Sequence, residues 1–252
     1  MRVHDRRGAV ERPATRPGGV AALADRGEVR VRRRDGVALL LVREDRAHAA
    51  ADGMLAAARA LRTAMRRLGD AAPEALTEEF PWAGRLPDHD RLRFAGDFGR
   101  AVQASAELGQ WDPLARALVE WRATAAVHAD SELADDLSRP VVDDLGPVPP
   151  PAGPAPAAEG RWEPRFATSA AVTGWEELDR ADAEQAAQAW AALTAPPAHP
   201  RHRLRGALAE RDVGGRTLHQ WRYDLAAGAA IWCCPDATGA SCGSWRWRRC
   251  GR

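Results

Sequence analysis

Arginine is the residue of this chain best suited to chemistry, and it comes in two concentrations. Arg30, Arg32, Arg33 and Arg34, with Arg16 upstream, form the first; Arg203, Arg205, Arg211, Arg216 and Arg222, with Arg201, form the second. All 36 Lys+Arg positions are arginine. A guanidinium is permanently charged and planar, and it hydrogen-bonds phosphate or guanine through two parallel N–H groups. Both concentrations therefore point toward nucleic acid. Between them, residues 70–150 carry sixteen acids against seven arginines, a block able to neutralise a basic partner. The alternative reading of the second concentration is a solvated strand surface whose arginines pair with those acids.

Other chemistries find less support. Cys233, Cys234, Cys242 and Cys250 are the only thiols. Structural zinc usually takes ligands two to four residues apart, and adjacent Cys233 and Cys234 in a strand point to opposite faces. No metal and no disulfide is expected. No P-loop, dinucleotide glycine motif, nucleophile elbow or metalloprotease signature appears, so no cofactor is expected. Trp221, Trp232, Trp82 and Trp121 stand in apolar runs and read as packing residues, not as base-stacking platforms. The chain lacks an apolar run long enough for a bilayer or a signal segment, which places it in the cytoplasm and off the membrane.

The elements that must position these arginines divide the 252 residues into an α+β chain of four parts. Residues 1–70 form a small sheet with helices, 71–145 an acidic helical region, 146–160 a linker, and 161–252 helices followed by an antiparallel sheet. The linker, with six prolines in fifteen residues, favours extended geometry and should hold two folded units apart. In the first part a short helix at Val20–Ala24 precedes Val29 and Val31, which alternate with arginines; Asp35-Gly36 then marks a hairpin turn, and Val37–Val42 returns as a strand buried on both faces. Asp45 is placed to cap a helix over Arg46–Leu68, whose apolar stripe runs through Ala47, Ala51, Met54, Ala58, Leu61, Met65 and Leu68.

Further helices fill 73–137. Asp112-Pro113 opens one whose inner face is Leu114, Leu118, Trp121, Ala125 and His128. In the last part, Arg161–Thr168 reads as an edge strand, and Thr173 with Glu176 as a capping box. A helix follows over Ala183–Leu193. The strands are Arg203–Leu208, Thr217–Leu225 and Ala229–Cys234.

The succession RVRRRDG-VALLLVRE, followed by DRAHAAADGMLAAARAL, resembles the DNA-binding head of Phd/YefM (prevent-host-death) antitoxins. The stretch from FPWAGRLPDHD to HADSELADDL is similar to the helical region of actinobacterial members of that family. The words HRLRGALAERDVGGRTLHQWRYDLAAGAAIWCCPD resemble the central sheet of a RelE/ParE-superfamily toxin. The resemblances imply a fused toxin–antitoxin protein. Its head would form a homodimer that binds operator DNA through Arg16, Arg30, Arg32, Arg33 and Arg34 and represses its own promoter.

For the second half the resemblance implies either gyrase as target or cleavage of messenger RNA on the ribosome. In the RNA case a ribose 2′-hydroxyl attacks the adjacent phosphate. Arg203, Arg205, Arg211, Arg216 and Arg222 are then candidates to stabilise the phosphoryl charge, and His219 or Tyr223 to transfer the proton. The acidic region is expected to mask this sheet, in cis or in trans, leaving the toxin silent; a conditionally active endoribonuclease is the alternative. The closing residues, ATGASCGSWRWRRCGR, depart from the toxin pattern and read as the product of a reading-frame change that impairs the site.

Overall fold

The computed structural model describes residues 2–5, 12–13, 17–32, 38–151, 163–194, 202–225 and 229–236. The chain is mixed α+β, with long helices and small antiparallel sheets.

At the N-terminus, β1 (Arg2–Asp5), β2 (Arg12–Pro13), α1 (Pro17–Arg26), β3 (Val29–Arg32) and β4 (Leu39–Leu41) follow one another, and the sheet runs β2-β1-β3-β4 with every neighbour antiparallel. The alternation in β3 sets its two faces: Val29 and Val31 are buried with Leu23 and Ala24 of α1, while Arg30 is exposed. The helix begins earlier than the sequence suggested, because Pro17 is itself accommodated in its first turn, where no N–H is needed.

β3 and β4 pair as the hairpin reading requires, Val29 opposite Leu41 and Val31 opposite Leu39; the turn at Asp35-Gly36 lies outside the described residues. The expectation that the returning strand is buried on both faces is overturned. Leu39, Leu40 and Leu41 are 52%, 57% and 41% exposed, because β4 is the edge strand and the small apolar cluster of the sheet gathers on β3.

α2 (Glu44–Leu68) is the helix expected over Arg46–Leu68, begun two residues earlier, and Asp45 does not cap it. Arg43 occupies the cap position, and Asp45, inside the first turn, accepts from Arg43 Nε and Nη2 at 2.9 and 2.6 Å. That guanidinium, opposed by slight desolvation, holds the Asp45 carboxyl below its usual range. α2 packs on α4 (Asp88–Leu108) around Ala58, its only buried residue. Met54, Leu61 and Leu68, seven residues apart and hence on one line of the helix, stay 43%, 37% and 39% exposed.

The helical region comprises α3 (Ala72–Glu79), α4, α5 (Asp112–His128) and α6 (Ser131–Ser138). Its core is aromatic. Phe94, Phe98 and Trp121 are all but fully buried, and Phe80, Trp82, Phe94, Phe98 and Trp121 make ring contacts at centroid distances of 5.0–6.1 Å. Leu114, Leu118, Trp121 and Ala125 face this core as their spacing required, and Pro113 sits in the first turn of α5. Each such large side chain contributes on the order of 1.5–3 kcal/mol by leaving water.

In the last part come α7 (Ser169–Ala181), α8 (Ala183–Thr194), β5 (His202–Arg203), β6 (Glu210–Val213), β7 (Arg216–His219), β8 (Trp221–Asp224) and β9 (Ala230–Cys233). Thr173 is interior to α7. The cap is Thr168, whose side chain accepts the Ala171 N–H at 3.2 Å. Among the described residues of the strand expected at Arg161–Thr168, only Arg165 and Phe166 are bridged, Arg165 to Pro147; Arg161 and Trp162 lie outside the described residues.

The expected three-strand run is divided. Gly214 and Gly215, at φ of 57° and 80°, turn β6 back on β7 as a separate hairpin, while β5-β8-β9 form the sheet. One face of that sheet carries Trp221, Tyr223, Ile231 and Cys233 onto α7 and α8; the other carries Ala230 and Trp232 onto Leu204 and Leu208 and onto Ala123, Val127, Leu133 and Leu137 of α5 and α6. Cys233 and Cys234 accordingly enter different apolar clusters.

This shared core bears on the linker. Gly146–Val148 does not hold two units apart: the Val148 N–H donates to Pro164 O at 2.8 Å, the Phe166 N–H donates to Gly146 O at 2.9 Å, and Val148 is buried among α7 and α8 residues. Proline removes donors, yet the non-proline positions between prolines still pair, and an apolar one is drawn inside. Residues 152–160 lie outside the described residues.

Candidate nucleic-acid interface and the charged junction

In the head, β3 presents Arg30 on the side of the sheet away from the valine cluster, and Arg32 ends the strand in register with Arg2. Arg16, Arg33 and Arg34 lie outside the described residues. At the base of the head, Arg43 lies 4.0 Å from Asp25, and Arg46 Nη2 donates to Asp25 O at 3.3 Å, tying the end of α1 to the start of α2.

The seven candidates of the second half are dispersed instead of converging on one phosphate. Arg205 lies against the helical region: its Nε donates to Glu120 Oε2 at 2.7 Å and Nη2 at 2.5 Å, Nη1 is 3.6 Å from Asp97, and its backbone N–H donates to Thr124 Oγ1 at 2.8 Å. Glu120 is 5% exposed, so this carboxylate reaches Arg205 instead of water.

Arg211, only 6% exposed, is a helix-capping residue. Nε donates to Arg139 O at 2.6 Å and Nη2 to Asp136 O at 2.5 Å, adding to the single weak 3.4 Å bond that Asp136 O accepts from the Arg139 N–H at the end of α6. Burial pushes its guanidinium down from the ordinary value, partly offset by the charges of Cys234 and Asp136. Arg216 pairs with the buried Asp236. Arg222 pairs with Asp224 at 2.7 Å, and Tyr223 turns to the α7–α8 core. Arg203 and His219 meet, with Nη2 2.6 Å from Nε2 of the ring, and Glu210 stands 3.3 Å from the other ring nitrogen.

A buried carboxylate that the sequence reading passed over organises the junction. Asp90, in the first turn of α4, is fully buried, and both its oxygens accept the Ala207 N–H at 3.1 Å. His89 and His128 stand 3.4 and 3.5 Å away and Arg93 at 3.6 Å. Burial pushes the Asp90 carboxyl up, but His128, the Ala207 N–H and the imidazole charges outweigh it and leave the group below its usual range. A depressed carboxylate stabilises the fold above its unfolded-state pKa and loses that contribution as pH falls through the folded value. The wild type should therefore hold this contribution at pH 5–7 and lose it below about pH 4. Asp90→Asn should be less stable at pH 7 and show a shallower acid limb in urea unfolding series; an unchanged limb would exclude Asp90 as its source.

The DHD run at 88–90 was the available signal for this site, since three ionisable groups open a helix whose next turn is aromatic. Among the described residues no group of three or more His, Cys, Asp or Glu could hold a metal ion, and no helix is long and apolar enough to cross a membrane. Cys242, Cys250 and the rest of the tail from 237 lie outside the described residues. No family model, no curated protein and no solved structure matches this chain.

Proposed function

We propose that the chain is a fused toxin–antitoxin protein: an operator-binding, autorepressing homodimer through its N-terminal head, carrying a RelE-like second half kept silent by the helical region. The observation that carries the second part is the engagement of two of its candidate arginines, with Ala207 and Gln220 beside them, by residues 90–139. Arg205 is held by Glu120 and Thr124, Ala207 by Asp90, Arg211 by the end of α6, and the side-chain amide of Gln220 donates to Leu137 O at 3.1 Å. These contacts lie within one chain, where tethering keeps the local concentration of the inhibitor high.

The resemblances carry the DNA-binding part. The exposed Arg30 and the unpaired apolar surfaces of β4 and α2 support it, since a second copy would cover leucines that water now meets. A two-fold dimer predicts a palindromic operator.

Gel-shift titration against the DNA upstream of its own reading frame tests this. Arg30→Glu should weaken binding at least about tenfold and flatten its salt dependence by removing a phosphate contact. Leu61→Asp should halve the molar mass in light scattering and abolish retardation. A wild-type chain that is monomeric at micromolar concentration and ignores its upstream DNA would refute the reading.

A further inference from the structure

An open cleft of about 530 Å³ lies between α4 and the segment from β5 to Ala209. Its first wall is a single face of α4, where Arg93, Gly96, Asp97 and Arg100 recur at helical spacing. Arg203 and Arg205 form the second wall, and Trp121, 1% exposed, is the floor.

The charges do not balance. Asp97 is satisfied by Arg100 and by the Trp121 indole N–H at 3.0 Å; Glu120 is satisfied by Arg205. Arg93 has a carboxylate only at 3.6 Å, in Asp90, which already accepts the Ala207 N–H and faces two imidazoles. Arg203 has no carboxylate within 4 Å among the described residues, and its guanidinium lies against His219 instead. Arg203, with no carboxylate partner among the described residues, and Arg93, whose one carboxylate is at 3.6 Å, thus stand on opposite walls of an open cleft where an anion can reach them.

We infer that this cleft binds phosphate, as the terminal group of a nucleotide or as consecutive phosphodiesters of a single-stranded nucleic acid. Arg93 and Arg203 are the primary contacts, and Arg100 stands behind them. Two charges match a terminal phosphate or two backbone phosphates. The site shares Arg203 and Arg205 with the candidates of the second half but goes beyond the toxin–antitoxin reading, because its other wall is a face of α4 that the toxin resemblance does not include, and it uses none of the head's arginines.

The experiment is calorimetric titration of the full chain with inorganic pyrophosphate and, separately, with a hexanucleotide of single-stranded RNA. Pyrophosphate should bind, and Arg93→Ala and Arg203→Ala should each weaken it about tenfold, as loss of one charged hydrogen-bond donor implies. Arg116→Ala, an exposed arginine of α5 outside the cleft, should change nothing. Thermal melts that coincide with wild type establish that the variants remain folded, and Arg203→Lys should recover part of the affinity.

If the hexanucleotide also binds, is displaced by pyrophosphate and shows a salt slope near −1.4, about 0.7 for each of two phosphates, the source is nucleic acid. If it does not bind, the source is a free nucleotide. Absence of pyrophosphate binding, or binding that the Arg93 and Arg203 variants leave intact, overturns the inference. Neither result bears on operator retardation, which the Arg30 variant reads separately.

Discussion

Gly206→Ala is expected to be the most damaging single-methyl change among the described glycines, lowering unfolding free energy by at least about 4 kcal/mol in urea titrations followed by tryptophan fluorescence. Two independent costs meet at this position. The backbone stands at φ 63°, where an L side chain is strained by roughly 1–3 kcal/mol. An added Cβ would also fall inside the contact radius of all three terminal atoms of Asp90. That carboxylate cannot retreat into water, because it is fully buried against the turn. Displacing it breaks the Ala207 N–H bond and leaves an uncompensated buried charge, a loss of about 3–5 kcal/mol in comparable situations.

The two costs separate in a double-mutant cycle. Gly206→Ala in an Asp90→Ala background should lose only the backbone strain, so the pair should be less than additive by more than 1 kcal/mol. Strict additivity would show that the carboxylate and the turn do not meet.

This contact also marks the limit of what could be read from the chain itself. The inner face of α5 was legible because Leu114, Leu118, Trp121 and Ala125 repeat at helical spacing and bury against α4. Its second face was not legible. Ala123 and Val127 are buried beneath the distant sheet, and Glu120 and Thr124 are buried only because Arg205, more than eighty residues away, arrives to bond them. A glutamate in a helix reads as solvated until its partner is known.

The same reasoning covers Arg211. As one of a run of arginines it suggests phosphate chemistry, yet two backbone carbonyls at the end of α6 take its donors. Local competition explains the misplaced caps: Thr168 precedes Thr173 and captures the helix start, and Arg43 draws Asp45 aside. For β4 the apolar run was read correctly as a strand, but the face it requires is not supplied by the described residues of its own chain. That mismatch is what the proposed second copy would resolve.

Glu120→Ala should destabilise the fold by about 2 kcal/mol. Removing one partner of a fully buried pair can cost 3–5 kcal/mol, but Arg205 is 33% exposed and can recover hydration, which lowers the figure. Asp97, at 3.6 Å, keeps part of the attraction, so Asp97→Ala in the same chain should add a further loss and not simply repeat the first. Arg205→Met leaves Glu120, 5% exposed, as an unpaired buried carboxylate and should cost more than Glu120→Ala alone; an Arg205→Met that costs less would show that Glu120 does not depend on this guanidinium.

The functional arm follows from the same geometry. If Glu120 holds the second half silent, full-length Glu120→Ala should slow growth when induced, and Glu120→Ala with Arg205→Met should not, because the freed guanidinium is then absent. Equal growth of all three strains at matched expression would mean that releasing Arg205 uncovers no activity, and the second half would be read as a folded remnant whose arginines serve the core they now bind.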